Sequence, residues 1–149
     1  TTLVERIVFM KRALAMTMLF GFVVVLAMGC ATAPKGPSEE EMISKRVQEC
    51  VTAIKAKNLD ALAALVSKSF DSAAVGDRQG LIDYLKNADS MGFLDNLEVD
   101  LSTAKTVVAG QKATVAPVTA NGSFGSITLN FEGAKENGNW VISGLEPGY

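Results

Sequence analysis

A chain of 149 residues carrying 14 basic and 16 acidic side chains is mildly acidic, and no Lys/Arg cluster follows Arg12, so nucleic-acid binding is excluded as an expectation. The absence of histidine removes imidazole acid–base chemistry and His metal ligation, and two cysteines, Cys30 and Cys50, are too few for a cysteine zinc site. The length suits one domain with a core that needs no covalent staples.

Thr1 to Phe9 precede the first Met and have no targeting composition. They read as an upstream extension, with the start at Met10. Lys11 and Arg12 then form a positive head, Ala13 to Ala27 is an uncharged apolar run, and Gly29-Cys30 closes it. That is the order of a secretory signal, whose positive head stays on the cytoplasmic side. Leu26-Ala27-Met28-Gly29-Cys30 resembles the lipobox of bacterial lipoproteins, with Ala27 where that family usually has Leu. The resemblance implies a signal peptide over 10–29, cleavage before Cys30 and acylation of Cys30. The implied partners are the lipid bilayer and the lipoprotein processing and sorting machinery. Ala31 stands where an Asp would favour inner-membrane retention, so the resemblance implies a cell-envelope protein on the outer membrane, facing the periplasm. Two or more acyl chains anchor stably where one holds only marginally. Two other readings stay open. Ala13 to Gly29 is at the short end for an uncleaved transmembrane helix, and ordinary cleavage after Ala33 would place Pro34 next to the cut.

A chain starting at Cys30 carries 11 basic and 15 acidic residues, a net charge of −4, and keeps Cys50 as its one further thiol, so it has no internal disulfide. Residues 30–37 form the lipidated tether. Two prolines and a glycine keep it extended, over roughly 20 Å. The folded domain is expected over 38–149.

Ser38 and Glu41 have the spacing of a capping box, and Glu39, Glu40 and Glu41 sit at the positive end of the helix dipole. Ile43, Val47, Cys50 and Ile54 recur on one helical face, widened by Met42 and Val51. This predicts a helix to about Lys57 with Asn58 as its left-handed close. Cys50 falls on the buried stripe, as a small core hydrophobe. Asn58 to Ser67 predicts a short second helix with Leu59, Leu62, Leu65 and Val66 inward, and Ser69 to Ser72 a brief extended piece. Asp77 caps a third helix, Arg78 to about Ala88, which turns Leu81, Ile82 and Leu85 inward.

After Gly92 the period changes to two. Leu97, Val99 and Leu101 alternate with Asn96, Glu98 and Asp100, which predicts a half-buried strand, continued past a bend by Thr106 to Ala109. Ala113 to Val118 is a strand that Pro117 restricts to an edge or a bulge. Asn121-Gly122 signals a hairpin into Ile127, Leu129 and Phe131, and Asn137-Gly138 a second one into Trp140 to Leu145. Three helices followed by a hairpin-linked meander predict an α+β fold, with helices packed on a curved antiparallel sheet.

That order, ending in Asn139-Trp140-Val141-Ile142, resembles the nuclear transport factor 2-like superfamily (cystatin-like fold), with its SnoaL-like and ketosteroid isomerase-like branches. The resemblance covers Ser38 to Leu145 and implies a cone-shaped α+β roll with a pocket at its open end. Isomerases of that kind use an Asp base with a Tyr and a protonated Asp as donors. By residue type the candidates are Asp71, Tyr84, Asp95 and Asp100, but none matches a motif position, so no catalytic residue is assigned. Tyr84 and Trp140 are the candidate pocket residues, although Tyr84 suits a lid over the core and Trp140 suits plain core. No cofactor and no metal are expected. Two functions therefore stand, with the first preferred. One is a non-catalytic module holding a small apolar ligand or a protein partner in the cone. The other is a pocket enzyme of isomerase, cyclase or hydratase type. A structural role in the envelope would leave the cone filled by its own side chains.

Overall fold

The computed structural model describes residues 36–149. The expected upstream extension, the signal segment, Cys30 and the tether as far as Lys35 lie outside the described residues. The elements are α1 (Glu39–Lys55), α2 (Leu59–Leu65), β1 (Val66–Ser72), β2 (Gly76–Asp77), α3 (Arg78–Ser90), β3 (Glu98–Asp100), β4 (Lys105–Ala109), β5 (Lys112–Gly122), β6 (Gly125–Glu136) and β7 (Asn139–Pro147).

Helix α1 begins where its cap dictates. The Ser38 hydroxyl accepts from the Glu41 N–H at 3.2 Å, and the Glu41 carboxylate accepts from the Ser38 N–H at 2.9 Å. Two otherwise unpaired helix-end donors are satisfied reciprocally. Ile43, Val47 and Cys50 are fully buried on one stripe, with Val51 and Ala53 beside them. The close of the helix differs from the expected one. Lys57, not Asn58, takes the left-handed conformation (φ 56°). Asn58 instead caps α2, its side-chain oxygen accepting from the Ala61 N–H at 3.0 Å. A short amide side chain suits an N-cap, whereas the long Lys57 stem reaches Asp89 at 2.6 Å and Asp95 at 2.8 Å. These pairs tie the α1–α2 turn to the end of α3.

Helix α2 stops at Leu65, two residues short of its expected end, because Val66 already belongs to β1. That strand runs parallel to β7, with Val66 opposite Ile142 and Asp71 opposite Gly144. Val66 and Phe70 face the core, and the buried Ser67 hydroxyl donates to Glu136 at 2.6 Å. Strand pairing here overrides a helical pattern too short to stand alone. The α+β class is as expected. The sheet is curved and antiparallel except at this one parallel pair, in the order β2-β1-β7-β6-β5-β3, with β4 also on β5.

Pro117 falls where the sheet can spare its missing N–H. β4 pairs with β5 as far as Ala116, and β3 takes over from Thr119. The pairing of β5 with β6 shifts register between Val115 and Val118, so the bulge lies at the same point. The first hairpin turns later than its sequence signal. Asn121 and Gly122 remain in β5, paired with Ser126 and Gly125, and Ser123-Phe124 makes the turn. The second turn is at Asn137-Gly138, both with positive φ, as a tight hairpin requires.

The core lies between α1 and the concave sheet face. Gly133 permits their closest approach, since a Cβ there would sit 2.5 Å from Ile43 Cδ1. The two elements meet over one end of the sheet and separate toward the other.

Candidate functional site

Where they separate, a cavity of about 440 Å³ remains. Its floor is the last turns of α1 (Val51, Ile54) and the concave side of β5 and β6 (Val118, Ala120, Phe131). Helix α3 supplies one wall through Leu81, Leu85 and Ala88, and the loop after it supplies Phe93, Leu94 and Leu97. These side chains face the cavity for the same reason that each element folds: its apolar stripe turns inward. Here the sheet curves away before the stripes can meet.

Phe93 and Phe124 stand edge to face, with centroids 6.3 Å apart at 72°, a favoured aromatic arrangement. They link the loop after α3 to the turn of the first hairpin. The Lys57–Asp89–Asp95 cluster braces that loop from outside, and hydrogen bonding to Asp89, then to Asp95, raises the Lys57 ammonium above its ordinary value.

The lining is chemically uniform. It contains no Asp, Glu, Lys, Arg, Ser, Thr, Asn or Gln, and the Tyr84 hydroxyl is its one polar side-chain group. Tyr84 lines the cavity from α3 while more than half exposed, so it belongs to the rim. Ala74, Ile127 and Pro147, also lining and exposed, complete that rim. Asp71, Asp95 and Asp100 are exposed and none lines the cavity. Asp100 is engaged locally with Ser102, whose hydroxyl and then backbone N–H hold the Asp100 carboxyl below its ordinary value. Among the described residues no group of three potential metal ligands converges.

Trp140 lies away from the cavity. It is buried at the far end of the sheet, where its indole N–H donates to Glu39 at 2.6 Å. Lys135 donates to the other Glu39 oxygen at 2.6 Å and lies 5.9 Å from the indole centroid. These contacts, Lys135 first, lower the Glu39 carboxyl below its ordinary value. Cys50, buried beside Val51, has its thiol pushed up to about 12, chiefly by desolvation.

No family model and no curated protein matches the sequence. Solved structures do match the folded part. A cystatin-like protein of unknown function from Nostoc punctiforme superposes with a TM-score of 0.61 at 12% identity, over 74% of this chain and 91% of that one. An NTF2-like protein of unknown function from Pseudomonas putida does so with a TM-score of 0.59 at 10% identity, over 72% and 83% of the two chains. The fold is NTF2-like. At such identities the likeness carries architecture alone, and neighbours with this fold differ in what is said of them. One from Shewanella frigidimarina is described as a candidate ketosteroid isomerase, with a TM-score of 0.57 at 14% identity, covering 68% of this chain and 90% of that one. An NTF2-like fold hosts many chemistries, so the cavity lining has to supply the functional argument.

Of that lining the sequence singled out only Tyr84 as a pocket residue, although Val51, Ile54, Leu81 and Leu85 were expected to face inward. Phe93 and Leu94 sit in a turn-rich stretch and Phe124 in a hairpin turn, where periodicity is silent. The available signal was compositional: large apolar residues in short loops that water would otherwise surround.

Proposed function

We propose that this chain is a binding module that holds a small apolar ligand in the open end of its NTF2-like fold without acid–base catalysis. One observation carries this reading: a cavity of about 440 Å³ whose lining has a single polar side chain, at the rim. Burying apolar ligand surface there is favourable at about 25 cal/mol per Å². Isomerase, cyclase or hydratase chemistry needs a carboxylate or comparable group against the substrate, whereas Asp71, Asp95 and Asp100 are exposed and none lines the cavity. A self-filled structural cone is disfavoured by the volume itself. The test is mass spectrometry of organic extracts from the purified full chain and from Ala120→Trp, which fills the cavity. Enrichment of an apolar small molecule with the wild type alone is expected. No enrichment, or equal enrichment, would sink the reading.

We further propose that the module is tethered to the cell envelope through acylated Cys30, on the resemblance of Leu26 to Cys30 to a lipobox. The bilayer and the lipoprotein processing machinery are then its first partners, and the outer membrane its address. Cys30→Ser should abolish fatty-acid labelling and leave an unprocessed precursor. Normal processing of that variant would overturn the tether.

A further inference from the structure

We infer that the ligand is a single-chain amphiphile, an acyl chain with one uncharged or zwitterionic head, bound tail-in with the head at Tyr84. The inference rests on the apolar-ligand reading and narrows it by asking where polar atoms could go. Every lining residue that is buried is apolar: Val51, Leu81, Leu85, Val118, Ala120 and Phe131 among them. From Val118 to Ala120 the backbone of β5 is paired with Ile127 to Leu129 of β6. A polar atom carried to the floor would therefore lose its water and gain no partner. A rigid polycycle with oxygens at both ends must bury one of them. A chain with polar atoms at one end buries none.

The rim supplies what such a head needs. The Tyr84 hydroxyl can donate or accept, and the cavity lining also includes exposed Ile127, Ala74 and Pro147, which suit the first methylenes of a chain. No Lys or Arg lines the cavity. A carboxylate head would find no cation in the lining to receive it, so an uncharged or zwitterionic head is favoured. Size agrees. A cavity of about 440 Å³ lies in the roughly 300–1,000 Å³ range of small-molecule pockets.

The test uses the full chain mixed with phosphatidylcholine vesicles that carry clickable photoactivatable probes. The probes are a monoacylglycerol and a fatty acid of the same chain length, each labelled at the tail end or beside the head, and a steroid-type diketone. The tail-end monoacylglycerol label should mark peptides containing Val51, Val118 or Phe131. The head-end label should mark those containing Tyr84 or Ile127. Ala120→Trp should cut the deep adducts at least about tenfold with an unchanged melting profile. Because Tyr84 is exposed and its replacement leaves the core intact, Tyr84→Phe covers the case of an unfolded Ala120→Trp, and should weaken monoacylglycerol labelling roughly fivefold. The fatty acid should label less than the monoacylglycerol. Head-end labels on the floor, or stronger fatty-acid labelling, would overturn the inference. Deep labelling by the diketone alone would overturn it while leaving the apolar-ligand reading intact. Deep labelling by no probe would overturn both.

Discussion

Around the first turn of α1, side chains from three elements close on one another; around its last turn they stand apart across a cavity. At the closed end Glu39 and Ile43 of α1 meet Lys135 and Gly133 of β6 and Trp140 of β7, through two 2.6 Å hydrogen bonds and a contact that only glycine permits. At the open end Val51 and Ile54 of the same helix look across about 440 Å³ at Leu129 and Phe131 of the same strand. One helix and one curved sheet thus supply both a sealed junction and an unfilled hollow. The difference lies in sheet curvature and in where side chains bring polar groups: at the closed end every such group has a partner, and at the open end almost none is present.

The largest contrast should appear in the chemistry of Cys50, which lies between the two regimes beside Val51. Its thiol is fully buried and pushed up to about 12. In the full chain carrying Cys30→Ser, alkylation at pH 8 should be at least roughly a thousandfold slower than in denaturant, because both thiolate fraction and access are suppressed. Rapid native modification would mean that the hollow extends past the floor of the cavity.

Truncation should then separate the two ends by stability. Trp140→Ala should cost about 3–5 kcal/mol, as for a packed aromatic, whereas Leu129→Ala should cost about 1–2 kcal/mol, since contacts on its cavity side are already missing. Chemical denaturation of the two variants measures this. Equal costs would erase the distinction. Addition is the converse probe. Gly133→Ala should destabilise by about 1–3 kcal/mol, because its methyl meets Ile43 Cδ1 at 2.5 Å. Ala120→Leu projects into the cavity and should change stability by less than about 1 kcal/mol.

The closed end should carry an acid-sensitive contribution of its own. The Glu39 carboxyl is held below its ordinary value near 4.5 by Lys135 and then Trp140. A lowered folded-state value means stability that is fully present above about pH 4.5 and is lost as pH falls through the lower value. The gap in melting temperature between wild type and Glu39→Gln should therefore be open at neutral pH and close on acidification below 4.5. A gap independent of pH would detach Glu39 from this junction.

The two ends were also unequally legible in the sequence. The capping box, the α1 stripe, the third helix and the alternating strands follow from local rules, and so their positions could be read directly. Misreadings came where a distant partner decided the outcome. Val66 and Ser67 continue a helical pattern, yet β7 draws them into a parallel strand. Lys57 takes the left-handed turn because Asp89 and Asp95, more than thirty residues away, receive its ammonium. Trp140 and Tyr84 were singled out together by residue type. Their separation to opposite ends of the fold depends on the register of β7 and the packing of α3, neither of which a single sequence encodes locally. The cavity was expected only through the family resemblance and not from the residues alone, since it arises from sheet curvature rather than from any residue's own preference.

The smallest effect concerns the cap itself. Glu41 accepts from the Ser38 N–H and belongs only to the helix start, whereas Glu39, two residues earlier, is shared with β6 and β7. Glu41→Ala should cost about 0.5–1 kcal/mol, because one backbone donor returns to water. That donor is exposed in the variant, so its loss should leave the acid dependence set by Glu39 and the labelling of the open end unchanged. A larger cost, or a Glu41→Ala variant that has lost its Glu39 pH dependence, would show that the cap and the sheet contacts form one cooperative unit. Additivity in the Glu39→Gln/Glu41→Ala double variant, measured by denaturant unfolding, decides between the two, since independent sites add and coupled ones do not.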